Sequence, residues 1–219
     1  MKARPARKPP RTRTRLDLDA RRAQLLALGL DVFATRSYDD VPIEEIARAA
    51  GISKGLLFHY FPTKRHFYVA TIREAARTLL AETAMAEIED PIARLYAGLD
   101  AYFSYVDRHG PAYAALLRGG IGSDPEVAAV VEETRGKFLE RLMAGLHAQP
   151  VPRVRLALRA WLGFVEAAAL DWLERRDVPV SDVRDLVVQV LTAITGAVTG
   201  PAPTPTGTPR NPSRPRAKT

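Results

Sequence analysis

The sequence predicts an all-α protein of about nine helices, a small N-terminal three-helix unit followed by a larger helical body. Three observations predict it. Apolar residues recur at helical spacing along most of the chain, the period of one buried helix face. No alternating segment of strand length is bounded by turn residues at both ends. Glycine and proline punctuate the chain at intervals that suit helices joined by short turns.

The first helix is expected over 16–36, with Leu18, Leu25, Leu26, Leu30 and Phe33 near one face and Asp17 or Asp19 capping its start. Ser37 to Asp40 breaks it. Pro42 suits the first turn of the second helix, where no N–H is required, and Ile43, Ile46 and Ala50 form its buried stripe. Gly51 can end it at a left-handed position. Ser53 is a suitable N-cap for a third helix, which Pro62 stops. Thr63 can cap a fourth, running to about Glu87. Beyond Asp90-Pro91, helices are expected over 91–108, 111–119, 124–147, 152–176 and 181–197. The Gly119 to Gly122 run has no strand before it, so it reads as an inter-helix loop rather than a phosphate cradle.

The 219 residues carry 32 Lys/Arg and 25 Asp/Glu, a net of +7, but the excess lies in the tails. Residues 1–15 hold seven bases and no acid; 197–219 hold four bases and no acid. The span 16–196 therefore has 21 bases against all 25 acids, a net of −4. We divide the chain accordingly: a disordered basic arm, 1–15; a head, 16–64, with a linking fourth helix over 64–87; a body, 65–197; and a proline-rich basic tail, 198–219. The tails can supply non-specific attraction to phosphate. With no cysteine there is no disulfide framework or thiolate zinc site. The N-terminus lacks an apolar run after its charges, and Ala160 to Leu170, interrupted by Glu166, is too short to span a bilayer. The expectation is a soluble, cytoplasmic protein with no membrane partner.

Residues 43–64 form a helix-turn-helix, and the second helix is only about seven residues, roughly 10 Å at ~1.5 Å per residue. Two core helices with a tight turn would also explain the pattern. Against that, the short helix carries polar groups opposite Leu57 and Phe61. Recognition helices dock through their N-terminal residues, which favours Ser53, Lys54, Gly55 and Leu56 as groove-facing.

The run Leu25-Leu26, Val32-Phe33, Tyr38, Ile43, Ile46-Ala47, Ala50-Gly51-Ile52-Ser53, Gly55, Leu57-Phe58, Tyr60-Phe61 and Lys64 closely resembles the N-terminal domain of TetR-type transcriptional regulators. It covers residues 18–70, about a quarter of the chain. The resemblance implies double-stranded DNA as partner. Lys54, Leu56, His59 and Tyr60 sit where the family contacts bases or phosphates, and Lys64 where it has a phosphate-binding lysine. A lysine beside free N–H groups at a helix start is an anion site on physical grounds as well. Leu56 and Phe58 stand where the family often has hydroxyls, and Val41-Pro42 replaces another; Ser37 and Gly29 also depart from the usual residues. Leu56 can instead touch a thymine methyl. Residues 16–70 hold seven bases and seven acids, so the reader is neutral, and Arg11, Arg13 and Arg15 become candidates for contact with the DNA backbone or minor groove.

For the body the resemblance implies a ligand-binding and dimerisation domain. Most body aromatics suit a core; those lining a pocket, which would be mainly apolar, are assigned as Tyr102, Tyr113 and Trp161, with Glu166 as a polar group. The last two helices look apolar on both sides, Leu158, Leu162, Val165, Ala169 and Trp172 on one and Leu186, Val190 and Ile194 on the other. That favours a homodimer through them. No cofactor, metal site or enzyme motif is expected: the four histidines are scattered, and no Gly-x-Ser-x-Gly or P-loop occurs. The expected function is a DNA-binding regulator, a repressor released from a pseudo-palindromic operator by a small apolar or amphipathic effector. The rivals are a sequence-blind DNA binder and an all-α enzyme or carrier.

Overall fold

The computed structural model describes residues 11–36, 38–120, 124–148 and 151–199, and among them it contains nine α-helices and no strand. They are α1 (Arg11–Thr35), α2 (Ile43–Ala49), α3 (Lys54–Tyr60), α4 (Lys64–Glu82), α5 (Pro91–Arg108), α6 (Gly110–Ala115), α7 (Pro125–Gly145), α8 (Pro152–Arg175) and α9 (Val180–Thr199). A π-helical turn, Leu116–Gly120, follows α6. Residues 1–10 of the basic arm, 200–219 of the tail and Ile121 to Ser123 lie outside the described residues.

Three expectations about helix ends need correction. α1 begins at Arg11, so its first turns occupy the stretch assigned to the arm, and neither Asp17 nor Asp19 is at its start. Leu18 is exposed rather than part of the buried stripe. Pro42 is the N-cap of α2, in extended backbone, one position earlier than expected. α4 stops at Glu82, not near Glu87: Thr83 is its C-cap, with its hydroxyl donating to the Leu79 carbonyl at 2.7 Å, and residues 84–90 are turn and irregular.

The head core gathers Leu25, Leu26 and Phe33 from α1, Ile43 and Ile46 from α2, Leu57 from α3, and Phe61, all buried. Each such side chain contributes on the order of 1.5–3 kcal/mol of burial, which in sum falls short of the cost of ordering α1 to α3 alone. α4 supplies what is missing. Phe67 and Ala70 complete the head core, with Phe67 edge-on to Phe61 at 4.9 Å between centroids. Further along the same helix, Val69 and Ile72 pack with Val127 and Val130 of α7. Leu79, near its end, belongs to the body core with Phe103, Val106, Leu158, Trp161, Val165 and Val187. Within that core the Trp161 indole N–H donates to the Val187 carbonyl at 2.7 Å, tying α8 to α9.

α1 and α4 come into close contact at Gly29. A Cβ there would lie 2.5 Å from Thr71 Oγ1 and 2.7 Å from Phe67 Cζ. Neither neighbour is free to give way, since Phe67 is fully buried and the Thr71 hydroxyl donates to the Phe67 carbonyl. Gly29→Ala is therefore expected to lower stability, because overpacking of about 1–3 kcal/mol outweighs the ~1 kcal/mol that alanine adds in a helix. Gly136→Ala, where a Cβ meets nothing within 4 Å, should stabilise by up to ~1 kcal/mol. Paired urea unfolding curves check both signs.

Candidate nucleic-acid interface and ligand cavity

The α2–α3 turn is fixed by its own backbone. Gly51 stands at φ +66°, its N–H donates to the Arg48 carbonyl, and the Ile52 N–H donates to that of Ala47, each at 3.0 Å. This crossed pair closes the helix end in the left-handed way that glycine allows without a Cβ clash. Ser53 then caps α3, its hydroxyl accepting from the Leu56 N–H at 3.1 Å. Thr63 caps α4 in the same way, accepting from the His66 N–H at 3.0 Å.

The residues singled out for DNA fall on α3 and the start of α4. Ser53, Lys54, Gly55, Leu56 and His59 are exposed; Tyr60 and Lys64 are half-buried. Leu56, 42% exposed on a seven-residue helix, has no packing role that would explain an apolar side chain. Around Gly55 a Cβ would meet only Ser53 Oγ, at 4.0 Å, so nothing inside the fold requires glycine there. Lys54 is held by Glu44 at 2.5 Å and lies near the Phe58 ring. Lys64 sits over the Tyr38 ring at 4.4 Å and donates to the Asp39 carbonyl. Arg36 is likewise engaged, with Glu45 and the Asp40 carbonyl.

A partly open cavity of about 430 Å³ lies in the body. Tyr102, Tyr113, Trp161 and Glu166 all lie on its wall, together with α4 residues Ile72, Ala76 and Leu79 and α7 residues Arg135 and Phe138. The Tyr102 and Tyr113 hydroxyls share a 2.5 Å hydrogen bond, and burial pushes both phenols well above the usual tyrosine range. Arg135 donates from Nε and Nη2 to the two Glu166 oxygens at 2.8 and 2.5 Å and also binds Glu132. Tyr105 ties α5 to α4 by donating to the Ala75 carbonyl at 3.1 Å, and burial raises its phenol to about 12.

Four of the eight residues assigned to the dimer lie inside the chain's own core. Leu158, Val165, Ala169 and Trp172 are buried in the chain's own core, and Leu162, Val190 and Ile194 pack half-buried against it; of the eight, Leu186 faces outward. α8 and α9 use their larger apolar faces on each other and on α5. What remains outside is a second, smaller stripe: Leu156, Ala160 and Ala167, exposed, with Gly163 half-exposed, on α8, and Leu186, Gln189 and Ala193 on α9.

The head and body geometry coincide with known proteins. Residues 25–71 match the family model of bacterial regulatory proteins of the tetR family, and 91–194 match the tetracyclin repressor-like C-terminal domain. A TetR-family regulator of Streptomyces coelicolor, known by crystal structure, superposes with TM-score 0.74 at 34% identity over 83% of this chain and 84% of that one. The chain belongs to the TetR family. It is similar to the transcriptional regulator BetI of Cronobacter sakazakii, 30% identical over 64% of this chain and 72% of BetI. Similarity to the transcriptional activator FasR of Mycolicibacterium smegmatis, at 32%, covers 54% of this chain and 55% of FasR, about half the length of each. As a TetR-family member the chain is a DNA-binding transcriptional regulator and not an enzyme. No helix among the described residues is long and apolar enough to cross a membrane.

One contact between head and body escapes sequence reasoning. Arg65, in the first turn of α4, donates to both Asp124 oxygens at 2.7 and 2.9 Å and to Glu126 at 2.7 Å. Asp124 is also the N-cap of α7, and a separation of 59 residues hides the pairing. The Arg65 hydrogen bond first, then those from the Glu126 and Val127 N–H groups, hold the Asp124 carboxyl below its ordinary value. A lowered folded-state value means this contribution is present in full above the unfolded value, about 3.9, and is lost as pH falls through the folded one. The stability gap between the native chain and Arg65→Met should thus stay constant from pH 6 to 8 and shrink below about pH 4, read by urea unfolding at each pH.

Proposed function

We propose that the protein is a homodimeric repressor that leaves a pseudo-palindromic operator when a small apolar or amphipathic molecule enters the body cavity. The observation that carries this reading is the shared wall. Ile72, Ala76 and Leu79 of α4 line the cavity, while Phe67 and Ala70 of the same helix belong to the head core. A ligand that favours one setting of α4 then favours one placement of the head. The shift can be no larger than the ligand's difference in affinity for the two settings.

On the DNA side, α3 presents Gly55 and Leu56 toward base edges, with Lys54, His59 and Tyr60 around them and Lys64 on a phosphate. Gly55 lets the backbone come close, and Leu56 suits a thymine methyl. Lys54 must exchange Glu44 for a phosphate, so part of its contribution offsets the lost pair. The second copy supplies the other half-site through α8 and α9. The outward stripe of Leu156, Ala160, Gly163 and Ala167 supports this surface in place of the residues first assigned, since small side chains let helices approach. The sign of regulation rests on likeness. The repressor KstR of Rhodococcus jostii aligns over 78% of this chain at 25% identity, the activator FasR over 54%.

Selection of binding sites from random duplexes by the purified protein tests the reading. Recovery of an inverted repeat with half-sites about one turn apart or slightly more supports it; equal competition by random DNA sinks it. Lys54→Ala and Lys64→Ala should each weaken binding to all duplexes and reduce the salt slope by about 0.9. Gly163→Arg, placed where a Cβ meets nothing within 4 Å, should leave a folded monomer by light scattering and lose the palindrome-dependent share of affinity. A dimer persisting in that variant would place the interface elsewhere.

A further inference from the structure

α7 lines the body cavity over much of its length. The residues that α7 turns toward it run from Val130 through Arg135 and Phe138 to Leu146, a rise of about 24 Å at ~1.5 Å per residue.

The charged and polar groups along this wall divide into two sets. In the inner part Arg135 answers Glu166 and Tyr102 answers Tyr113, Tyr105 and Thr134 donate to the Ala75 and Val130 carbonyls, and the His109 ring lies against Tyr105 at 4.5 Å between centroids. Among the described residues no buried side-chain nitrogen or oxygen lacks a partner. A ligand there meets no unpaired charge, which suits an apolar tail. The other end lies between the last turn of α4, the first turns of α5 and the last turns of α7, and it carries Arg94 and Arg141. Arg94 donates to the carbonyls of Ile88 and Glu89 at 2.6 and 3.1 Å. Arg141 donates to Thr83 Oγ1 at 3.2 Å and lies over the Phe138 ring. Each guanidinium has five N–H donors, so both keep donors in reserve. Among the described residues neither arginine is paired with a carboxylate.

We propose, on the reading of this cavity as the effector site, that the effector is an anionic amphiphile. Its apolar alkyl or acyl tail lies against the inner wall, and a carboxylate or phosphate head is held by Arg94 and Arg141. The head gains charge-assisted hydrogen bonds, the stronger kind, at the end where the protein leaves cations without counter-charge. The tail replaces water against apolar walls. A free carboxylic acid and a phosphate monoester share this chemistry, and the experiment separates them.

The probes are decanoate, decyl phosphate, decan-1-ol and decyltrimethylammonium, each below its micelle concentration. Binding is read by Trp161 fluorescence and calorimetry on the full-length protein, and by release from the selected operator. One or both anions should bind at least about tenfold more tightly than the alcohol, and the ammonium should bind worst; the ratio between the two anions names the head group. Arg141→Met, at an exposed position, should remove about tenfold of the anion's affinity and leave the alcohol's unchanged, while Arg141→Lys restores most of it. Arg94→Met should act in the same direction. Equal binding of alcohol and anion, or anion affinity indifferent to both arginine variants, overturns the charge assignment but not the cavity. A cavity-filling Leu142→Trp that leaves anion binding intact, or no binding of any probe, overturns the cavity as effector site and this proposal with it.

Discussion

The structure depends on one helix being packed into three places at once. α4 contributes Phe67 and Ala70 to the head core, Val69 and Ile72 to the contact with α7, and Leu79 to the body core. These residues span about twelve positions of a single rod, roughly 18 Å at ~1.5 Å per residue. Interiors are close-packed, so the rod cannot slide or turn at one end without disturbing the other. Gly29 tightens the constraint by letting α1 lie against Phe67 and Thr71 with no Cβ between them. The Arg65 contact with Asp124 and Glu126 adds a polar stop at the head end. A regulator needs such a part, an element that both the DNA-reading unit and the cavity wall share.

Electrostatics then shape how the head can be used. Residues 16–70 carry equal numbers of acids and bases, and several bases are already engaged: Lys54 with Glu44, Arg36 with Glu45, Lys64 over Tyr38. A reader of this kind attracts phosphate weakly. Its discrimination then has to come from shape more than from a field of positive charge. The same economy appears in the body, where Glu132 and Glu166 hold Arg135 and Glu132 also holds Arg159, so the inner cavity is apolar in effect despite its charges.

The all-helical class, the helix-turn-helix, the caps at Ser53 and Thr63 and the left-handed stop at Gly51 were legible in the residues, because each depends on neighbours within about four positions. The head core was legible for the same reason: Leu26, Phe33, Ile46, Leu57 and Phe61 repeat at helical spacing, and short connections leave them little choice of partner. Tyr102, Tyr113, Trp161 and Glu166 came from side-chain character alone, and character does not say which aromatic faces a void. The start of α1 at Arg11 was hidden by a run of bases that reads as a solvated arm.

Local order, then, belongs to the sequence by itself: which segments are helices, where the turns fall, and which short helix carries the exposed polar face. Only the tertiary structure decided what those helices do with their sides. Leu158, Val165, Ala169 and Trp172 look like an outward apolar face and are buried instead, since α8 has two apolar stripes and only packing chooses which meets α5 and α9. Arg65 finds Asp124 across 59 residues, and Arg94 and Arg141 share one end of the cavity from different helices. The reason is the same in each case. Helical periodicity is set by backbone geometry within a few residues, whereas a contact between distant segments depends on how whole helices are placed.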